Sequence, residues 1–341
     1  MNGEAVPFGT ILRAALGVGA VGYRWGIEAR NRRFDRSAAR SVGVGVPVIS
    51  VGNITTGGTG KTPLVIELGG RLLAGGRRPA VVSRGYKSRD AGSADELLVV
   101  RRRYPDLICV SDRDRVAAAR RAVAQGADCI IADDAFQHRR LRRDLDIVVL
   151  DATNPFGYGH LLPRGLLREP VESLRRADLI VVSRVDQVSP EDLAAMIARV
   201  RAVQPGLPII YTRHRAAGFR RLDNARVVDV PAGARALCFA GIGNPESFRR
   251  TVESLGIEVV GTMWWRDHHR YRVADAAEIV GAARRASAEW LLATEKDAVK
   301  LATLGANWAV SVAALRIDTE FLADGGDVLD ARVQRMLASS C

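Results

Sequence analysis

The chain has few of the residues that build metal centres and disulfide frameworks: four cysteines and five histidines in 341 positions. The cysteines are Cys109, Cys129, Cys238 and Cys341, and no two form a C-x-x-C pair or another metal-ligand spacing. Cys109 and Cys129 sit inside apolar runs, where cysteine behaves as a small core residue, so a reducing compartment is expected. Aromatic residues make up 6% and are not interleaved with the basic runs, which leaves a nucleic-acid module without support. Internal repeats and low-complexity tracts are missing as well. Near the N-terminus, the apolar run 14–23, between Arg13 and Arg24, falls well short of the roughly 20 residues that cross a bilayer. A signal peptide is a competing reading, but Arg24, Arg30, Arg32, Arg33 and Arg36 follow at once. A helix lying in a membrane surface fits better, and an ordinary packed helix is its alternative.

What is present describes a globular protein. Hydrophobic residues reach 48%, and the length suits two domains with real cores. The formal net charge of +12 favours an acidic partner: nucleic acid, anionic lipid or a phosphorylated substrate. An arginine-rich genome would give the same balance, so charge is a weak guide.

Short apolar runs alternate with helical stretches. Residues 46–53 read as a buried strand, followed by a Gly-rich turn and a helix over about 62–74 with Pro63 in its first turn. Further strands are expected at 80–83, 107–110, 129–132, 147–150, 179–183 and 209–212. This alternation predicts an α/β fold, a largely parallel sheet covered on both faces. Residues 213–234 are polar and read as an extended linker. A second α/β unit follows, with strands at 236–239, 259–264, 290–294 and 308–315. The expected division is a surface helix over 1–35, a first domain over 36–212, the linker, and a smaller domain over 235–341.

The strongest chemical signal is Thr55-Thr56-Gly57-Gly58-Thr59-Gly60-Lys61-Thr62. It departs from G-x-x-x-x-G-K-[ST] only in having Thr55 at the first glycine. Gly57, Gly58 and Gly60 let the backbone turn its N–H groups toward phosphate, and the helix behind adds its positive end. Lys61 would reach the β- and γ-phosphates of a nucleotide, and Thr62 would hold Mg²⁺. Asp133 and Asp134 end the strand 129–132, where a P-loop fold binds Mg²⁺ directly or through water; a helix cap is the simpler alternative. Asp267-His268-His269 could supply a general base for a hydroxyl, although spacing alone makes that weak. Asp95-Glu96 alone reads as a common acidic loop pair. The run Arg139-Arg140-Leu141-Arg142-Arg143 is either a solvated surface or a contact for phosphate or anionic lipid.

The segments VISVGNITTGGTGKTP (48–63), Ser83-Arg84-Gly85-Tyr86, Asp95-Glu96, Asp133-Asp134-Ala135-Phe136-Gln137-His138, LPRGLLRE (162–169), Asp267-His268-His269-Arg270-Tyr271 and Thr294-Glu295-Lys296-Asp297 occur in this order. Together they resemble the tetraacyldisaccharide 4′-kinases of lipid A biosynthesis, over roughly residues 8–305. The resemblance implies ATP- and Mg²⁺-dependent phosphorylation of the 4′-hydroxyl of a tetraacylated disaccharide 1-phosphate, by a peripheral protein at the cytoplasmic face of the inner membrane. It implies a three-layer α/β/α P-loop domain and a smaller α/β domain, joined by an extended two-stranded linker, with the site between them. The expected partners are the acylated lipid and an anionic membrane surface, with no nucleic acid and a monomeric state.

Carried over by position, the resemblance assigns Thr56, Gly57, Gly58, Thr59, Gly60, Lys61 and Thr62 to ATP, and Thr62, Asp133 and Asp134 to the metal. Asp95 and His268 form the catalytic pair with Lys61, and Glu96, His138, Arg168 and Glu169 are further active-site residues. This chain departs from the family in Ala94-Asp95-Glu96-Leu97, where Gly-Asp-Glu-Pro is usual, and in Ala135 after the Asp pair. A P-loop switch or metallochaperone acting on a protein partner is the alternative function.

Overall fold

The computed structural model describes residues 8–37, 40–84, 95–222, 225–302, 304–305 and 308–339, with side chains from residue 16 onward. Residues 1–7, Gly85, Tyr86, Ala94 and Cys341 lie outside the described residues.

After helix α1 (Phe8–Asp35), the chain lays down β1 (Val48–Gly52), α2 (Lys61–Ala74), β2 (Pro79–Ser83), α3 (Asp95–Arg103), β3 (Ile108–Ser111), α4 (Arg115–Ala124), β4 (Cys129–Asp133), β5 (Leu145–Asp151), β6 (Leu179–Ser183), α5 (Pro190–Val203) and β7 (Ile209–Arg221). A second unit follows with β8 (Val227–Val228), β9 (Arg235–Ala240), α6 (Pro245–Glu253), β10 (Glu258–Trp264), α7 (Val273–Arg285), β11 (Trp290–Thr294), α8 (Glu295–Leu301) and β12 (Ser311–Phe321). Helix α9 (Gly325–Ser339) closes the described chain. The strands form one sheet in the order β10-β9-β11-β12-β7-β6-β5-β1-β4-β2-β3, with β8 beside β7.

Strands β1, β2, β4, β5 and β6 are buried along their whole length. Helices cover both faces of a parallel sheet, so these strands read as unbroken apolar runs rather than alternating ones. All pairings from β3 through to β7 are parallel. The phosphate loop therefore leaves β1 at the middle of the sheet's C-terminal edge, where open α/β sheets bind ligands.

The two units share one pair of strands. β7 begins parallel to β6 and runs on antiparallel to β12, from Thr212↔Phe321 to Arg221↔Ala313. The strand that pairs with β7 over Thr212–Ala216 thus comes from 317–321, far along the chain, while 222–234 adds only the short β8 beside Phe219 and Arg220. The return carries α9 back to the first unit. Leu329, Val333, Met336 and Leu337 bury themselves in the core that contains Ile49, Val51, Ile147 and Ile210. Arg71 of α2 binds Asp330 at 2.7 Å and lies over the Phe321 ring. Placing all of 235–341 in the smaller domain is therefore corrected for 325–339. An apolar stripe shows that a helix has a buried face, but not which sheet it covers.

A second correction concerns Asp95 and Glu96. They open α3, a helix with both acids in its first turn and Arg101, Arg102 and Arg103 in its last. That distribution complements the helix dipole at both ends.

Helix α1 lies across the first unit. The Tyr23 hydroxyl donates to the Arg168 carbonyl at 3.1 Å, and Arg139 pairs with Asp35 at 2.6 Å. Its other face carries Val18, Val21 and Trp25, which are 75%, 51% and 69% exposed.

Candidate active site

Two glycines of the loop between β1 and α2 have left-handed backbones, Gly57 at φ 108° and Gly60 at φ 89°, where a side chain would be strained. The loop is braced from inside. Asn53 Nδ2 donates to Thr59 Oγ1 at 3.1 Å, and Ser183 Oγ to the Thr59 carbonyl at 2.8 Å. Arg184 donates to the Gly58 carbonyl at 2.8 Å while paired with the buried carboxylate of Asp151. The smaller unit reaches the same group, as Asn244 Nδ2 donates to Asp151 at 3.1 Å. A Cβ on Gly243 would lie only 2.2 Å from the Gly58 amide nitrogen, so the two backbones touch. Thr56 gives its amide to the Leu166 carbonyl and Thr59 gives its amide to the Gly57 carbonyl. Those two expected phosphate contacts are thus engaged in shaping the loop. Helix α2 starts at Lys61, which aims the unpaired amides of its first turn at the loop opening.

The carboxylates at the end of β4 differ sharply. Burial pushes Asp134 upward, but Lys61 at 3.4 Å and Arg168 Nη1, which donates to both carboxylate oxygens at 2.8 and 2.9 Å, outweigh it and hold the group far below the usual range. Burial pushes Asp133 up to about 6, and the nearby charge of Glu96 adds to it. Asp133 Oδ1 is buried with no hydrogen-bond partner among the described residues. An orphaned carboxylate oxygen within the field of Lys61 and Glu96 fits a hard cation. No cluster of three or more His, Cys, Asp or Glu suited to a metal occurs among the described residues. A cation here would keep water and phosphate oxygens in its shell, which suits Mg²⁺.

Opposite this cluster, α3 of the first unit meets the smaller unit. His268 Nδ1 lies 3.2 Å from Asp95 Oδ2, and Lys300 Nζ lies 3.2 Å from the same oxygen. Lys296 Nζ bridges Glu96 at 2.9 Å, Asp267 at 3.2 Å and His268 Nε2 at 3.4 Å. His268 sits in a turn with φ 61°, which swings its ring toward α3. Burial raises Asp95, but the His268 bond and then Lys300 outweigh it, so the carboxyl stays below its ordinary value. The bond to Asp95 raises His268. An ammonium can only donate, so Lys296 at Nε2 favours the neutral tautomer with its hydrogen on Nδ1, facing Asp95.

A family model for tetraacyldisaccharide-1-P 4′-kinase matches residues 12–337. The chain belongs to this family. It is 39% identical to the tetraacyldisaccharide 4′-kinase of Anaeromyxobacter dehalogenans (strain 2CP-1), across 97% of this chain and 92% of that one. It is 41% identical to that of Syntrophus aciditrophicus, across 87% and 86%. The fold is similar to a crystal structure of LpxK from Aquifex aeolicus in complex with ATP, with a TM-score of 0.71, 27% identity, and coverage of 96% of this chain and 99% of that one. The match runs through both units, which a nucleotide switch built on the first unit alone leaves unexplained.

Within this kinase fold the structure brings together Lys61, Asp133, Asp134 and Arg168 on one side, and Asp95, Glu96 and His268 on the other. Glu169 does not join them. Its side chain is fully buried, bound by Arg30 at 2.6 Å, Asn31 at 3.3 Å and Arg176. It fastens α1 to the segment after Leu167, because a buried carboxylate must be paired. His138 is pushed down to about 4, by burial first and then by Arg115. Its neighbour Gln137 donates to the Asn53 carbonyl at 2.8 Å, which ties this segment to the phosphate loop. Sequence reasoning missed Lys296 and Lys300 as partners of Asp95, Glu96 and His268. They stand four residues apart in α8, hence on one helix face, and that spacing was the available signal.

Proposed function

We propose that this kinase transfers the γ-phosphate of ATP to the 4′-hydroxyl of a tetraacylated disaccharide 1-phosphate, at the cytoplasmic face of a membrane. One observation carries the residue assignment. The Asp95–His268 pair joins the two units and stands next to the Lys61–Asp134 cluster, with Glu96 close enough to raise Asp133.

His268 and Lys300 both engage Oδ2 of Asp95, which leaves Oδ1 to accept the proton of the attacking hydroxyl. Lys300 keeps Asp95 ionised, and His268 keeps it oriented. Lys61 and the amides at the start of α2 take the nucleotide's phosphates. Arg168 restrains Asp134 and so holds the loop end of β4 in register. When bound beside Thr62, Asp133 and Asp134, Mg²⁺ supplies charge neutralisation on the phosphate oxygens. Asp95 and His268 come from different units, so the base is complete only when the units are together, and ATP is protected from water until then. The test is transfer of labelled γ-phosphate to the disaccharide in detergent micelles. A lipid labelled at the 4′ position is expected; nucleotide binding without any labelled lipid would refute the reading.

The membrane reading rests on α1. No described helix is long and apolar enough to cross a membrane. Val18, Val21 and Trp25 recur at i, i+3 and i+7 on one exposed face, with the exposed Arg24 and Arg32 along the same helix. That pattern suits a helix lying in an anionic interface. Replacing all three apolar residues by Asp is expected to release the protein from anionic vesicles in a flotation assay without changing its melting temperature. Undiminished flotation would place the anchor elsewhere.

A further inference from the structure

The smaller unit holds helix α3 at both ends, and only the first turn of that helix enters the chemistry above. We propose that Arg103, in its last turn, is a positioning residue for the transfer reaction. It fixes α3 at the joint between the units, so that Asp95 meets His268 and Lys300. The inference rests on the kinase reading above and deepens it.

The joint comes first. Leu315 is the last residue of β12 paired with β11 of the smaller unit. The β7–β12 ladder slips just beyond it: Leu315 faces Phe219 and Ile317 faces Ala216, so Arg316 stands opposite two residues, Ala217 and Gly218. Gly218 has φ 91°, the left-handed angle that such a bulge uses to bend a strand. Arg103 meets the chain immediately past this bend. Its Nη1 donates to Asp318 at 2.5 Å, and its Nη2 lies 3.5 Å from the Ile317 carbonyl. The same Nη2 donates to both carboxylate oxygens of Glu295, the first residue of α8, at 3.1 and 3.3 Å. One side chain of the first unit thus holds the shared strand and the smaller unit together.

Burial makes this grip stronger than a surface ion pair. The Arg103 side chain is only 10% exposed, and a desolvated charge must be paired. Burial raises Glu295, and Arg103 is the foremost of the cations that oppose it. At Asp318 the bond to Arg103 outweighs burial and holds the carboxyl below its ordinary value, with Arg316 at 3.4 Å and Arg215 at 3.7 Å beside it. A basic last turn does not by itself produce such a crossing. Arg101 of the same turn donates to the Cys109 carbonyl at 2.8 Å, within its own unit.

The helix carries the constraint to the site. Leu97, Val99 and Val100 bury themselves in the core of the first unit, so α3 belongs rigidly to it. From Asp95 to Arg103 is eight residues, about 12 Å of helix. The charges at the two ends have opposite sign. Asp95 and Glu96 meet Lys300 and Lys296 of α8, whereas Arg103 meets Glu295 of the same helix. Docking α8 in the reverse direction would set Glu295 against Asp95 and Glu96, so the charges fix one orientation. Arg103 therefore acts through Asp95, and a displacement of about 1 Å at that carboxylate can cost about a hundredfold in rate.

The test is the pH profile of transfer to the disaccharide in detergent micelles, with ATP titration and melting temperature measured on the same samples of the full chain. Arg103→Met is expected to lower kcat about ten- to a hundredfold at neutral pH, with the affinity for ATP within about twofold. The acid limb of its kcat/KM profile should move upward by about one pH unit, because Asp95 spends less time beside His268, Lys300 and Lys296, the charged groups that face it. Arg103→Lys keeps a cation against Glu295 and should recover most of the rate and the wild-type limb. A brace without influence on Asp95 would lower the melting temperature and leave the limb in place. An unmoved limb in Arg103→Met therefore overturns the inference, whatever happens to stability. If Arg103→Met does not fold, Glu295→Gln decides by the same shift, since it removes the ion pair without leaving a buried carboxylate unpaired. Failure of the kinase reading looks different: Asp95→Asn would then keep its kcat.

Discussion

Asp95→Asn is expected to lower kcat about 10³-fold while leaving the affinity for ATP within about twofold, because a positioned base contributes roughly 10²–10⁴ to such a step. The asparagine keeps the shape, and its amide can still meet His268, but it cannot take the hydroxyl proton. ATP binding is spared because the proposed assignment gives the nucleotide to the loop after β1 and to α2, and Asp95 to the acceptor. Steady-state transfer and ATP titration on the same sample measure both. An unchanged kcat would remove Asp95 from the chemistry.

Lys300→Met gives the companion result. In the proposed role Asp95 acts ionised, and its pairing keeps its folded value below the ordinary carboxylate range. The acid limb of the kcat/KM profile therefore lies at low pH in the wild type. Removing the cation 3.2 Å from Oδ2 lets burial act, so the limb moves upward, and Lys300→Arg should restore it. The same pairing stabilises the fold above the ordinary carboxylate pKa. That stabilisation is lost as pH falls through the lowered value.

Much of the fold was legible because buried parallel strands announce themselves. The runs 46–53, 129–132 and 179–183 are apolar without alternation, and each lies in the sheet as expected. The Gly-rich turn between β1 and α2 was legible too, since Gly57 and Gly60 take the backbone angles that their residue type permits. What sequence could not supply was partnership at a distance. Glu169 stands beside Arg168 in the chain, yet one side chain meets Asp134 and the other is buried against α1. The two lie in a bend after Leu167, and only the fold says which of them faces the cleft. Lys296 and Lys300 are about 200 residues from Asp95, and nothing local marks them as its partners. The same holds for α9, whose stripe fits either sheet until the β7–β12 pair returns the chain to the first unit.

Lys61→Met should remove about 10²–10³-fold of transfer activity and, unlike Asp95→Asn, should also weaken binding of ATP and of tripolyphosphate, since one preorganised charge aimed at the reacting phosphate is worth that much. Methionine preserves the aliphatic stem, so the packing of α2 against β1 stays and the loss is one of charge alone. The change also unbalances the carboxylates. Asp134 keeps Arg168 but loses the ammonium at 3.4 Å, and Asp133 loses the cation that most offsets its burial. Both should therefore hold protons more readily, and the Mg²⁺ concentration for half-maximal binding of the nucleotide should rise together with the loss of affinity. A variant with full transfer activity and unaltered tripolyphosphate binding would mean that the loop is not the phosphate site. A variant with weak binding but normal kcat at saturation would restrict Lys61 to holding the ground state, and leave the transition-state charge to the amides of α2 and the cation.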